Sequence, residues 1–294
     1  MNSNLTLALP VDVVHPRDLT AGDASVSPFD AYYGFHLLAE GDSWFTLGAV
    51  PSSNLLYELR LAQWSQVFNL AYPGDNIKLI GDLASNRDFK KYVANPRFNY
   101  PWDALLISGG GNDVITAASE LVRRRALGPV GEPDSWINGP ALAALLMSIQ
   151  TSYRQLHALW NDPSSKSAGR PIVLHTYDYA TPRNAPARFL GAIRMRGPWL
   201  YPAFQGTATD IVMQQRIANR LIDRLAETLL PLDGASGAPE ALANVHVVDT
   251  RNTLVMANPA DIGRSNDWQN EIHPTLDGYR KIAARLSARL SLLL

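Results

Sequence analysis

The sequence contains no cysteine, so disulfides, thiolate nucleophiles and cysteine-ligated zinc sites are excluded. Its net charge is −1, and no run of basic residues is interleaved with aromatic ones. We therefore expect no nucleic-acid partner and no binding to an anionic membrane surface. No stretch approaches about 18 uninterrupted apolar residues, so we also expect no membrane span.

The sequence also lacks the usual signals for secretion, metals and nucleotides. The N-terminus has no basic start and Pro10 breaks its apolar stretch, which makes a poor signal peptide and favours a cytoplasmic location. No metal-ligand spacing such as HExxH occurs, and the glycine run at 109–111 lacks the GxGxxG and Walker patterns of phosphate-binding loops. We expect no metal and no cofactor, whereas the oligomeric state is left open.

Short apolar runs alternate with helical patterns along the 294 residues. This alternation predicts one α/β domain, residues 1–294, with a parallel sheet covered on both faces. The carboxyl ends of its strands should share one edge, where ligands bind in such sheets. One long irregular segment, Asp178–Gly206, is interpreted as an insertion that lines the site. The predicted strands are Phe35–Ala39, Val67–Leu70, Ala104–Ser108, 171–177 and 244–250, and the main predicted helices are Asn54–Trp64, Val114–Arg125, Pro140–Trp160, Thr207–Leu230 and Leu276–Leu293.

Four small motifs follow predicted strands and should meet at that edge. They centre on Ser43, Gly74, Asn112 and His273. A serine hydroxyl becomes a good nucleophile when a base removes its proton, and histidine is the natural base near neutral pH. The oxyanion that forms needs donors, here the N–H groups of Ser43 and Gly74 and the amide of Asn112. The set therefore indicates acyl transfer.

These motifs, "GDSW" at 41–44, "YPGDN" at 72–76, "GGGND" at 109–113 and "EIHPT" at 271–275, resemble the four blocks of the SGNH, or GDSL-type, serine hydrolases. The resemblance implies a flavodoxin-like, three-layer α/β/α fold with a five-stranded parallel sheet. It also implies a serine esterase or lipase that works without a cofactor. By position, Ser43 is the nucleophile, His273 the base, and Ser43, Gly74 and Asn112 supply the oxyanion hole.

The chain departs from this family at the acid of the triad. The family usually carries the acid three residues before the histidine, where this chain has Asn270. Asp267 is an alternative if the loop folds back, Asn270 itself could orient the ring, and a backbone carbonyl would leave a Ser–His dyad. Glu271 is the least favoured, because an extended chain turns it to the opposite side from Asn270.

Aromatic residues near the motifs are candidates for substrate binding. Trp44 either packs under the site or lines the acyl pocket, Tyr177 follows the fourth predicted strand, and Trp199 belongs to the aromatic stretch "GPWLYPAF". The expected substrate is a small ester or acylated molecule. Two alternatives stay open: a carbohydrate or glycan O-deacetylase that uses the same site, and a non-catalytic carbohydrate-binding relative.

Overall fold

The computed structural model describes residues 8–20, 27–46, 53–82, 86–189 and 193–294. Its strands are β1 (Leu9–Val14), β2 (Phe35–Gly41), β3 (Arg60–Leu61), β4 (Ser65–Asn69), β5 (Ala104–Ser108), β6 (Ile172–His175), β7 (Ala187–Phe189), β8 (Ile193–Arg196) and β9 (Val245–Val248). Its helices are α1 (Pro16–Thr20), α2 (Ser43–Thr46), α3 (Ile77–Gly81), α4 (Arg87–Ala94), α5 (Gly111–Leu121), α6 (Gly139–Trp160), α7 (Tyr201–Phe204), α8 (Ile211–Leu229) and α9 (Leu276–Leu290). Two short 3-10 helices cover Pro133–Trp136 and Leu230–Leu232.

The central sheet has the order β3-β1-β4-β2-β5-β6-β9. Its five predicted strands, β2, β4, β5, β6 and β9, pair in parallel, and in chain order they lie 2-1-3-4-5 across the sheet. That order is the one of flavodoxin-like doubly wound folds. Every residue of β4, β5 and β6 is buried, as expected of strands covered by helices on both faces. The predicted fold class is confirmed.

The number of strands differs from the prediction, because β1 and β3 extend the sheet beyond β4. β1 runs parallel to β4, and β3 pairs with β1 in the antiparallel sense. β1 is mostly exposed or half-buried and carries Pro10 and Asp12, which is typical of a strand near a sheet edge. The central strands were predicted from continuous apolar runs. β1 has no such run, so it was not predicted.

The helix predicted over Asn54–Trp64 is wrong. Residues 55–58 form a turn and Arg60–Leu61 is β3. The carboxamide oxygen of Asn54 accepts hydrogen bonds from the N–H groups of Leu56 and Tyr57, at 3.0 and 3.2 Å. This local bonding favours a turn over a helix. The leucines at helix-like spacing are buried by the turn instead.

The other long helices begin near the predicted residues, for reasons visible in the sequence. Asp210 caps α8 by accepting from the N–H of Met213, and Thr275 caps α9 by accepting from the N–H of Gly278. The cap of α9 fixes the chain two residues after His273. None of the helices in the described part of the chain is long and apolar enough to cross a membrane.

Candidate active site

Ser43 lies directly after β2, at the first residue of α2. The turn requires glycine at position 41, because a Cβ there would lie 2.6 Å from the backbone oxygen of Ser108 on the neighbouring strand. β2 and β5 can therefore pair to their last residues, with Gly41 opposite Ser108. This pairing places the Ser43 hydroxyl at the carboxyl edge of the sheet.

Buried hydrogen bonds of Asp42 stabilise this turn. The carboxylate of Asp42 accepts hydrogen bonds from the N–H of Trp44 (3.0 Å), the hydroxyl of Ser108 (2.8 Å) and the hydroxyl of Tyr177 (2.7 Å). Burial raises the pKa of Asp42 to about 6. Three donors on one buried carboxylate fix the position of the turn. Asp42 thus shapes the turn and also joins it to β5 and to the second residue after β6.

His273 contacts Ser43, the candidate nucleophile. Its Nε2 lies 2.8 Å from the Oγ of Ser43, and its Nδ1 lies 3.1 Å from the Oδ1 of Asn270. Burial lowers the pKa of His273 to about 4, so the ring is neutral at pH 7 and can accept a proton. With Nδ1 carrying its hydrogen toward Asn270, Nε2 is the acceptor that faces Ser43.

Asn270 is built into the loop as an acceptor. Besides the ring, its Oδ1 accepts from the N–H groups of Ile272 (3.0 Å) and His273 (2.9 Å). Asp267 lies elsewhere: its carboxylate accepts from Lys281 Nζ (2.5 Å) and from a backbone N–H (2.7 Å), and it forms no hydrogen bond with His273. The structure therefore contradicts the alternative in which Asp267 contacts the histidine.

We expect Asn270→Asp to shift the pH dependence upward. A carboxylate at this distance favours the imidazolium and raises a histidine pKa by about 1–3 units. The acid limb of the kcat/KM profile, near pH 4 in the wild type if His273 controls it, should move up by that amount. The plateau kcat should stay equal or rise, because the charge also stabilises the imidazolium in the transition state.

The control is Asp267→Asn, which removes the partner of Lys281. It should lower the melting temperature while changing kcat by less than about tenfold. A large kcat loss in Asp267→Asn together with an unshifted profile in Asn270→Asp would contradict the assignment of Asn270.

The second and third motifs form one loop pair beside Ser43. Gly74 has φ 93°, a conformation in which a side chain is strained. The Nδ2 of Asn112 donates to the backbone oxygen of Asp75 (2.8 Å), and the carboxylate of Asp113 accepts from the N–H of Ile77 (2.8 Å). An amide nitrogen has two hydrogens, so the second one of Asn112 is left for a ligand. Within the described residues, no acceptor bonds the N–H of Ser43 or of Gly74.

A small apolar cavity opens beside Ser43. Ser43 and Asn112 line it, and the walls are almost wholly apolar. The cavity offers about 30 Å³ to the centre of a water-sized sphere. One water needs about 10–15 Å³ by this measure, so the space suits a group of two or three heavy atoms. The apolar walls come from Val114, Ile115, Leu200, Leu221, Ile222 and Ile272.

The three aromatic candidates take different places. Trp44 is buried, lines the cavity, and donates from its indole N–H to the backbone oxygen of Ile272 at 3.2 Å. Tyr177 also lines the cavity, although its hydroxyl is bound by Asp42. Trp199 lies outside the cavity, with its ring edge-on to His273 at 5.5 Å between centroids. Trp44 and Tyr177 therefore belong to the cavity, whereas Trp199 packs against His273.

Glu271 has a role that sequence reasoning missed. Its fully buried carboxylate accepts from the N–H groups of Arg183, Trp199, Leu200 and Tyr201. Burial raises the pKa of this carboxyl. The segment that carries Trp199 is therefore fixed to the loop that carries His273. The sequence shows only that Glu271 lies two residues before His273. This position does not reveal which groups its carboxylate binds.

The part of the chain that the structure describes holds no cluster of three or more histidine, aspartate or glutamate side chains suited to a metal ion.

The solved structures that match this chain include several esterases. The inhibitor-bound aryl esterase of M. smegmatis has a TM-score of 0.44 and 14% identity, with 88% of this chain and 99% of that chain covered. A carbohydrate acetylesterase from Sinorhizobium meliloti has a TM-score of 0.42, 12% identity and coverage of 88% and 99%. The acetyl xylan esterase AlAXEase has a TM-score of 0.40, 12% identity and coverage of 86% and 99%. The chain matches no protein-family model, and no curated protein is significantly similar to it.

Proposed function

We propose that this protein is a serine esterase that hydrolyses short-chain carboxylic esters through an acyl-enzyme intermediate. The observation that carries the proposal is the 2.8 Å contact between Ser43 Oγ and His273 Nε2, with the other ring nitrogen held by Asn270. A nucleophile, a base and a residue that orients the base define an activated hydroxyl. The neutral state of the buried ring supports the role of His273 as the base.

In the proposed reaction, these groups act in two stages, acylation and deacylation. Ser43 Oγ attacks the ester carbonyl while His273 Nε2 takes its proton, and the oxyanion lies toward the N–H groups of Ser43 and Gly74 and the amide of Asn112. His273 then returns the proton to the leaving alcohol, and the acyl group stays on Ser43. A water molecule, deprotonated by the same nitrogen, attacks the acyl-enzyme, and His273 returns this proton to Ser43 Oγ as the acid is released.

The size of the apolar cavity supports a short acyl group. An acetyl or propionyl group fits the available 30 Å³, whereas a longer chain has to displace the walls. Overpacking of this kind costs roughly 1–3 kcal/mol, or about five- to 150-fold in rate. We therefore expect kcat/KM to be highest for acetate and propionate esters and to fall by that factor at octanoate.

A series of p-nitrophenyl esters from acetate to palmitate tests both the reaction and the acyl length. The leaving group is constant, so differences report the acyl pocket. The matched variant is Leu200→Ala, which shortens one side chain of the wall and so enlarges the cavity. It should shift the highest kcat/KM toward longer acyl chains. Highest activity on palmitate in the wild type would contradict the short-chain assignment.

A second candidate is O-deacetylation of a glycan, which the acetyl-sized cavity also favours. Acetate release from an acetylated polysaccharide at a kcat/KM above that for p-nitrophenyl acetate would support it. Turnover of no ester, combined with binding of a carbohydrate, would instead identify the third alternative, a non-catalytic carbohydrate-binding protein.

A further inference from the structure

An arginine lies over the glycine of the candidate oxyanion hole. Arg196 is the last residue of β8, in the segment between β6 and α7, and its side chain is exposed. A Cβ added at Gly74 would lie 3.5 Å from Nη1 of Arg196. Gly74 is exposed as well. A positive charge therefore lies beside the candidate oxyanion hole. The two residues are far apart in the sequence, so their proximity could not be predicted from it.

The guanidinium of Arg196 has no partner among the described residues. It takes part in none of their ion pairs and none of their side-chain hydrogen bonds. Asp75, the acid adjacent to Gly74, has a pKa raised by burial, with no cation that opposes this rise. An arginine offers five donors in a fork that matches a carboxylate, and here all of them are available.

The position of Arg196 indicates which part of an ester it faces. Neither Arg196 nor Gly74 lines the apolar cavity. Three residues after Arg196, Trp199 packs edge-on to His273, the residue that returns a proton to the leaving alcohol. The segment from Arg196 to Trp199 therefore flanks the alcohol side of the site, whereas the acyl group occupies the cavity.

We propose that Arg196 binds an anionic group on the alcohol part of the substrate. The substrate class is then a short-chain acyl ester of a carboxylate-bearing alcohol, such as an O-acetylated acidic saccharide or an acetoxy-aryl carboxylate. This inference rests on the proposed esterase function, because it assigns the leaving group of that reaction. A lysine would not reproduce the planar, two-point contact.

The test compares two esters that differ in one charge, 4-acetoxybenzoate and 4-acetoxybenzamide, with acetate release as the readout. The wild type should prefer the benzoate. A hydrogen bond to a charged group contributes about 1.5–3 kcal/mol, so Arg196→Gln should lower kcat/KM for the benzoate about 10- to 150-fold. The loss for the benzamide should be at least about tenfold smaller. Arg196→Lys should recover part of the preference, and Arg196→Glu should reverse it.

The matched control is Arg97→Gln, which removes the same charge from an exposed arginine. Arg97 lies just before β5, so it is at the opposite edge of the sheet from Ser43. This variant should keep the wild-type ratio between the two esters. Because Arg196 is exposed and unpaired, its variants should fold, which thermal unfolding checks.

Equal losses on the two esters in Arg196→Gln would overturn the proposal and indicate a contact with the oxyanion instead. No loss on either ester in that variant would also overturn it, while the esterase function stands. If the wild type hydrolyses neither ester nor any p-nitrophenyl ester, the proposed function itself fails, and the assignment of a leaving group fails with it.

Discussion

Replacing Ser43 with alanine is expected to lower kcat for every ester substrate by roughly 10⁶-fold, the loss seen when the nucleophile of a serine protease is removed. The reason is that the hydroxyl supplies the atom that bonds to the acyl group. Ser43 Oγ lies 2.8 Å from His273 Nε2, and no other hydroxyl of the described residues bonds this nitrogen. Initial rates with p-nitrophenyl acetate, measured on protein free of contaminating esterase, give the comparison.

A covalent probe makes this prediction independent of the choice of substrate. A fluorophosphonate should label the wild type at Ser43, as mapped by mass spectrometry, and should not label Ser43→Ala. The control is Ser65→Ala, because Ser65 is also buried but begins β4 at the opposite edge of the sheet, where its hydroxyl donates to the backbone oxygen of Gln63. This control should keep labelling and kcat. Labelling at another serine would refute the assignment of the nucleophile.

The Ser43→Ala protein should still fold. The hydrogen bonds that fix the turn come from Asp42, whose carboxylate bonds Trp44, Ser108 and Tyr177 and does not involve the Ser43 hydroxyl. The substitution leaves one buried ring nitrogen without its partner, at a cost of about 1–3 kcal/mol. Thermal unfolding should therefore show a modest decrease in melting temperature, with a single cooperative transition.

The sheet and the four motif loops could be predicted from the sequence for a simple reason. Strands such as β5, Ala104–Ser108, are buried on both faces, so they appear as uninterrupted apolar runs. In a parallel sheet, the order of these runs alone brings the residues that follow them to one edge. Ser43 and His273, far apart in the chain, therefore could be placed together without any knowledge of side-chain packing.

The contacts between loops could not be predicted in this way. Whether His273 faces Asn270 or Asp267 depends on the fold of an irregular loop, in which the side chain of Asn270 collects two backbone N–H groups while Asp267 pairs with Lys281 on the next helix. Likewise, Glu271 binds backbone groups of residues 199–201, which no residue type or spacing reveals. Backbone donors have no signature in the sequence.

The irregular segment at 178–206 illustrates the same limit. The sequence predicted that it lines the site, and several of its residues do contact it: Leu200 lines the cavity and Trp199 packs on His273. The β7–β8 hairpin inside this segment was not predicted, nor was the approach of Arg196 to Gly74. Both arise from how the segment folds back over the sheet edge, which its own composition does not specify.

The second large effect is expected at Asn112, where replacement by alanine should lower kcat about 10²- to 10³-fold with little change in KM. The Nδ2 of Asn112 donates one hydrogen to the backbone oxygen of Asp75, with 2.8 Å between the two heavy atoms. This hydrogen bond fixes the side-chain amide. The other hydrogen is available to the oxyanion, whose negative charge develops only in the transition state. A donor that acts there changes kcat rather than substrate binding.

The control for Asn112→Ala has to separate loss of the donor from disturbance of the loop. Asn76→Ala serves this purpose, because Asn76 is adjacent to Asp75, the backbone partner of Asn112, and caps α3 by accepting from the N–H of Leu79 at 2.9 Å. Its loss should cost about 1 kcal/mol of stability, with kcat changed less than about tenfold. If kcat falls equally in Asn76→Ala and Asn112→Ala, the loop and not the amide is responsible. A wild-type kcat in Asn112→Ala would remove this residue from the oxyanion hole and leave the N–H groups of Ser43 and Gly74 to stabilise the charge.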